Sequence, residues 1–115
     1  MATRSRIAVE LQDGTVKSVY CHWDGGPDGV GQDLLNKHFS STGEVEDFID
    51  EGSRSTVDES YYEKGEKLEE PEVHASADEY FNGDIEQYGY MYNKEGIWMV
   101  KASHGHEGVE MLVIF

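Results

Sequence analysis

Apolar residues alternate with polar ones at the start of the chain: Ile7, Val9 and Leu11 are interleaved with Arg6, Glu10 and Gln12. A period of two over residues 6–12 predicts a half-buried strand. Asp13-Gly14 then predicts a two-residue hairpin turn and a returning strand over residues 15–23. With that turn, Gln12 faces Thr15, Leu11 faces Val16, Val9 faces Ser18 and Ile7 faces Tyr20. Glu10 opposes Lys17 as a favourable cross-strand charge pair. The register puts Tyr20 and His22 on the core face and Cys21 and Trp23 on the other.

The period changes after a loop, residues 24–29, that holds Gly25, Gly26, Pro27 and Gly29. Asp28 is placed to cap a helix beginning near Val30, with Val30, Leu34, Leu35 and His38 or Phe39 at helical spacing. Ser41-Thr42-Gly43-Glu44 reads as a capping box for a second helix. There Val45, Phe48 and Ile49 form the apolar stripe, Glu44, Glu46, Asp47, Asp50 and Glu51 the wet side, and Gly52 the stop.

Residues 53–79 show no sustained period. They read as an acidic insert or long loop of poor order, with Tyr61, Tyr62 and Leu68 as its few anchors. Ala77 to Phe81 reads as a short helix. Alternation returns with Tyr88, Tyr90 and Tyr92. Asn93-Lys94-Glu95-Gly96 is a hairpin loop, and Ile97 to Ala102 the strand that follows it. Val109 to Phe115 is apolar on both faces from Met111 onward, which predicts a central or doubly covered strand or an edge used for homodimerisation. The expected fold is α+β: an antiparallel sheet of about five strands in the order β-β-α-α-(acidic insert)-β-β-β, with helices packed on one face. A chain of 115 residues suits a single domain, 1–115.

Composition narrows the partners. Twenty-four Asp and Glu against nine Lys and Arg leave a net charge of −15, which repels nucleic-acid backbones and anionic membranes and suits a basic protein partner. With Cys21 as the one cysteine, no intramolecular disulfide can form, which points to a reducing compartment. No apolar run approaches a membrane span and no signal core opens the chain, so a cytoplasmic location is expected.

Thr3-Arg4-Ser5, Tyr20-Cys21-His22-Trp23-Asp24-Gly25, the Gly31 to Phe39 helix, Gly52-Ser53-Arg54-Ser55 and the Tyr90, Tyr92 and Trp98 hairpin follow one another in that order. In this the chain resembles a family of small uncharacterised proteins of tailed bacteriophages and bacteria. The Tyr-Cys-His-Trp-Asp-Gly block is the most specific part. The family usually places an aromatic between the glycine and the proline of this loop; Gly26 stands there instead, so a stacking role is lost. The resemblance implies a phage-like origin, a host-cytoplasm location and a shared fold, and implies no mechanism.

Four groups of residues carry chemistry. His22 and Asp24 at the strand end, with His104 and His106 from a later loop, are candidate catalytic residues. Cys21 and His22 cannot pair, because adjacent strand residues point to opposite faces. His104, His106 and His22 are candidate ligands for a divalent metal, on spacing alone; no cofactor is otherwise implied. The glycine loop could offer amides to an anion, but Asp24, Asp28 and Asp33 repel phosphate and no P-loop lysine follows. Glu44, Asp47, Asp50 and Glu51 on the second helix, together with Trp23, are candidate partner-binding residues. Acids ~6 Å apart along a helix also mimic the charge repeat of nucleic acid, which makes a DNA-mimic inhibitor of a host protein an alternative. The sequence leans away from an enzyme and towards a non-catalytic binding or regulatory module; a small metal-dependent or His/Asp enzyme is the other alternative.

Overall fold

The structure, a computed structural model, describes residues 3–60, 69–103 and 108–112. It is α+β, with a mixed sheet and helices on both faces. Strands β1 (Ser5–Glu10) and β2 (Val16–Cys21) form the first hairpin. A single π-helical turn (Pro27–Gly31) leads into α1 (Gln32–Asn36), and α2 (Thr42–Asp50) follows. Three short strands, β3 (Arg54–Thr56), β4 (Glu59–Ser60) and β5 (Glu72–His74), lie inside the stretch that the sequence reads as an acidic insert. Helix α3 (Ala77–Asn82), strands β6 (Tyr88–Tyr92) and β7 (Trp98–Ala102), and the short β8 (Glu110–Met111) complete the order.

The sheet runs β4-β3-β2-β1-β6-β7-β8, with β5 also paired to β2. It is not purely antiparallel as expected: β1 pairs β6 in parallel, and β2 meets β3 in parallel at Cys21 and Arg54. A parallel pair needs a long crossover. Here everything from β2 to α3 supplies it, so the N-terminal and C-terminal hairpins meet along their first strands.

The first hairpin differs from its expected register by one residue, and the cause is its turn. The Gly14 amide donates to the Leu11 carbonyl at 2.9 Å, and the Leu11 amide to the Thr15 carbonyl at 2.8 Å. Gly14 has a positive φ of 89°, whereas Asp13 does not enter that region. This is a three-residue loop, a type I turn followed by a left-handed glycine. Asp13 Oδ1 accepts from the Thr15 amide and hydroxyl, which stabilises it. The β6–β7 turn is built alike, with Gly96 at φ 79° and Asn93 closing on Ile97 at 3.0 Å.

The extra loop residue pairs Ile7 with Val19, Val9 with Lys17 and Ser5 with Cys21. A slip of one exchanges the faces of a strand. Cys21, expected outside, is therefore buried in the main core, while Tyr20 and His22 lie on the other face of the sheet, half-buried. Glu10 faces Val16 instead of Lys17; its carboxylate accepts from the Lys94 amide at 3.1 Å.

Ile7, Val9, Val19, Cys21, Tyr90 and Trp98 form the main core with Leu34 of α1 and Val45, Phe48 and Ile49 of α2. Ala8, Val16 and Met91 face the other way and pack on Tyr80 and Phe81 of α3 and on Ile85. Both sheet faces are thus covered, against the expectation of one. The central strands show why: Ala8 and Met91 are small or flexible apolar residues on what alternation alone marks as the wet face.

The caps are as expected for α2, where Ser41 Oγ accepts from the Glu44 amide at 3.2 Å and the Glu44 carboxylate accepts from the Ser40 amide at 2.9 Å. Asp28 does not cap α1: it sits inside the π-helical turn, whose N-cap is Gly26 with no side-chain bond. The C-terminal strand, expected to be central or doubly covered or else an edge, lies at the edge of the described sheet as β8, with Met111 exposed and Leu112 buried. Residues 113–115, and the anchors Tyr61, Tyr62 and Leu68, lie outside the described residues.

Candidate functional site

β2 ends at Cys21, and β3 carries the next two residues: the His22 and Trp23 amides donate to the carbonyls of Arg54 (3.1 Å) and Ser55 (2.8 Å). Asp24 then turns the chain with a left-handed φ of 58°, a conformation that Asp tolerates better than most residues. Its carbonyl accepts from the Val30 amide at 2.6 Å, closing the loop on itself. The Gly25 amide donates to the Thr3 carbonyl at 2.9 Å, and the Gly25 carbonyl accepts from the buried Tyr90 hydroxyl at 2.7 Å. The loop is therefore clamped by the residues leading into β1 on one side and by β6 on the other. Those are the two strands joined by the parallel pairing, with Ser5 opposite Tyr88.

The clamped loop walls an open concavity of about 600 Å3, lined by Thr3, Asp24, Gly26, Pro27, Asp28, Gly29, Asp33 and Tyr88. Among the described residues, three carboxylates and no lysine or arginine line it. Burial, and next the carboxylates of Asp58 and Asp24, push the Asp33 carboxyl above its ordinary range, while Lys37 opposes them. A smaller concavity of about 100 Å3 adjoins it across Pro27 and Tyr88 and is lined also by Val100, Ala102, Gly108 and Glu110. Acidic and apolar walls thus share one ridge.

The strand-end candidates separate. His22 Nδ1 lies 2.6 Å from the Tyr20 hydroxyl, and its ring meets Trp23 edge-on with centroids 4.7 Å apart. Asp24 instead faces the concavity. His104 and His106 lie outside the described residues. Among the described residues, no three His, Cys, Asp or Glu side chains converge so as to ligate one metal ion.

Cys21 is a core residue. Burial pushes its thiol up to about 11, and Sγ is aimed at the carbonyls of Ser55 (3.7 Å) and Trp23 (3.9 Å). A buried neutral thiol is a poor nucleophile. The folded protein is expected to react with an aromatic disulfide reagent at pH 8 at least ~100-fold more slowly than the unfolded chain, because two pKa units reduce the thiolate that far. Equal rates in buffer and in denaturant would contradict the placement.

The acidic face of α2 is only partly free. Lys17 reaches Glu46 at 3.0 Å and also bonds Asp50. Burial opposes the charge on Lys17, but these two bonds outweigh it and hold the ammonium above its ordinary value. Glu51 pairs at 3.3 Å with Arg54, a buried guanidinium that also lies 4.0 Å over the Phe48 ring and donates to the carbonyls of Thr56 and Val57. The Glu44 carboxylate caps Ser40, whose bonds hold it below the usual range. Asp47 is exposed, and so is Trp23, at 44%.

No protein-family model, no curated protein and no solved structure matches this chain. The site is read from its own geometry. Three aspartates around a glycine loop were a visible signal for its acidic wall. Thr3 and Tyr88 carried no such signal, since only the parallel β1–β6 pairing brings them to the loop.

Proposed function

We propose that this chain is a non-catalytic binding or regulatory module, and that its concavity at residues 24–33 receives a basic segment of a protein partner. The observation that supports this reading is the charge of the wall: among the described residues, Asp24, Asp28 and Asp33 line it without a lysine or arginine. The repulsion that Asp33 feels from Asp58 and Asp24 is relieved by an incoming guanidinium or ammonium. The carboxylates are spread along the wall and do not converge on one point, which suits an extended basic segment better than a metal ion. The apolar extension past Tyr88 suits the aliphatic stem of an arginine or lysine or a neighbouring apolar residue. Exposed Trp23, next to Asp24, adds an aromatic face for a cation. Such a module would work in the cytoplasm, that of a host cell if the chain is phage-encoded. The DNA-mimic reading draws less support, because Glu44, Asp50 and Glu51 are each engaged within the fold. No helix among the described residues is long and apolar enough to cross a membrane.

Titration of a fluorescently labelled arginine-rich peptide tests the reading. Binding is expected to weaken as salt rises, and by ~10-fold or more when Asp24, Asp28 and Asp33 are all changed to Asn, since each charge-assisted contact contributes about 1 kcal/mol or more. Unchanged affinity in the triple variant would overturn the assignment.

A further inference from the structure

The face of the sheet opposite α1 and α2 carries a second polar cluster, which takes no part in the concavity. Ser18, in the middle of β2, is wholly buried. Its hydroxyl oxygen lies 3.0 Å from Arg6 Nε and 2.8 Å from His74 Nε2, and Arg6 also donates to the Ser18 carbonyl at 3.2 Å. The guanidinium can only donate. The serine oxygen therefore accepts from Arg6; with one proton and a second lone pair left, it meets His74 either as donor to a bare Nε2 or as acceptor from Nε2–H. In the first arrangement His74 is a neutral imidazole with Nε2 bare, in the second a neutral imidazole with the proton on Nε2.

His74 sits on β5, a three-residue strand whose hold on the sheet is slight. Among the described residues β5 pairs only with β2, at Val16, Lys17 and Ser18, and Glu72 and Val73 are exposed. We propose that β5 is a pH-released strap: protonation of His74 frees Glu72–His74 from β2 and uncovers the β2 backbone from Val16 to Ser18.

An imidazolium at this position would donate into an oxygen that already accepts from a guanidinium. Two cations would then share one buried hydroxyl, and a serine proton aimed at Nε2 would lose its acceptor. The charged groups facing the ring come from every element around it. Arg6 on β1 disfavours its charge, whereas Glu72 on β5 and Glu79 on α3 favour it. Tyr80 of α3 meets the ring edge-on at 5.1 Å and is buried, with its hydroxyl committed to the Tyr90 carbonyl at 3.0 Å. Arg6 also reaches Glu72 at 3.5 Å, but that carboxylate is 63% exposed. The balance lies with burial, the largest cause, which pulls His74 below its ordinary 6.5.

The sign follows from linkage. Well above pH 6.5, docked and released His74 are both neutral and the strap is held in full. Below it, the released ring takes up a proton that the docked ring refuses, so docking weakens as pH falls towards the depressed docked value. The effect is about tenfold in the docked-to-released ratio for each pKa unit that docking costs. On release, the β2 edge beside β3 would present unpaired amides and carbonyls, the form that accepts an added strand.

Amide hydrogen exchange on the full chain at pH 7.5 and pH 5.5 tests this, read as protection factors so that intrinsic rates cancel. Protection in residues 16–18 and 72–74 is expected to fall severalfold at the lower pH, while β6 and β7 keep theirs. In His74→Gln, whose side-chain oxygen can accept from Ser18 and does not titrate, the fall is expected to vanish. The same fall in the variant, or none in the native chain, would overturn the proposal. If the variant does not fold, the imidazole C–H resonances of the native chain decide. A His74 midpoint clearly below 6.5 supports the strap, and one at or above 6.5 overturns it.

Discussion

Replacing Tyr90 with alanine is expected to lower stability by about 3–5 kcal/mol, the usual cost of emptying a buried aromatic position. Tyr90 stands at the centre of β6, fully buried, in the main core. Its ring lies against Gly31, where an added Cβ would come within 3.3 Å of it, and its hydroxyl donates to the Gly25 carbonyl. Burial suppresses ionisation of that hydroxyl, so it remains a donor at any pH the fold tolerates. Alanine would leave a cavity and an unpaired carbonyl under the loop. Tyr90→Phe separates the two effects. It keeps the ring and removes only the hydrogen bond, at an expected cost of about 1–3 kcal/mol. Denaturant midpoints at constant slope measure both variants. A midpoint for the alanine variant within about 1 kcal/mol of the parent would show that Tyr90 is not a core residue. Domains of this size have only about 5–15 kcal/mol in all, so the alanine variant is near the limit of folding.

The second large effect is expected at Gly29. Its backbone does not need a left-handed φ; it needs space. A Cβ at Gly29 would stand 2.2 Å from the Asp24 carbonyl oxygen and 3.0 Å from the Asp24 Cβ, and the obstacle is largely backbone. That carbonyl is the one that closes the loop by accepting from Val30. Gly29→Ala must therefore open the loop, with an expected loss of about 2–4 kcal/mol from overpacking and the broken bond. It should also separate Asp24 from Asp28 and Asp33, so binding of the arginine-rich peptide should fall in any fraction that folds. Gly43→Ala is the matched control. Gly43 lies in α2, where an added Cβ meets nothing closer than Ser41 Oγ at 3.8 Å, so alanine there should leave the midpoint unchanged or raise it. If Gly29→Ala behaved like the control, the close approach at the loop would be disproved.

Alternation found β1, β2, β6 and β7, and the spacing of Val45, Phe48 and Ile49 found α2, because those signals are local. The Ser41–Glu44 cap lies within one helical turn and was equally legible. Asp13-Gly14 marked the first turn, but two- and three-residue loops share that dipeptide. They differ in the φ of Asp13, which neighbouring sequence does not reveal. That one residue sent Cys21 inwards and Tyr20 and His22 to the other face. Short polar strands such as Glu72–His74 carry too little apolar surface to show a period. They become strands because β2 offers them a free edge.

What the sequence determined by itself was the local geometry: which stretches extend, which coil, where the glycines turn the chain, and that the surface is acidic. Each of these rests on interactions between residues a few positions apart. The tertiary structure alone decided that β1 and β6 run side by side in parallel, that both sheet faces are covered, and that Thr3, Tyr88 and three aspartates share one wall. It also placed Arg6, Ser18 and His74 on one hydroxyl. These meetings span up to the length of the chain. They are selected by the burial of whole faces and by the pairing of backbone groups left over from local structure, and neither quantity exists until the strands have come together.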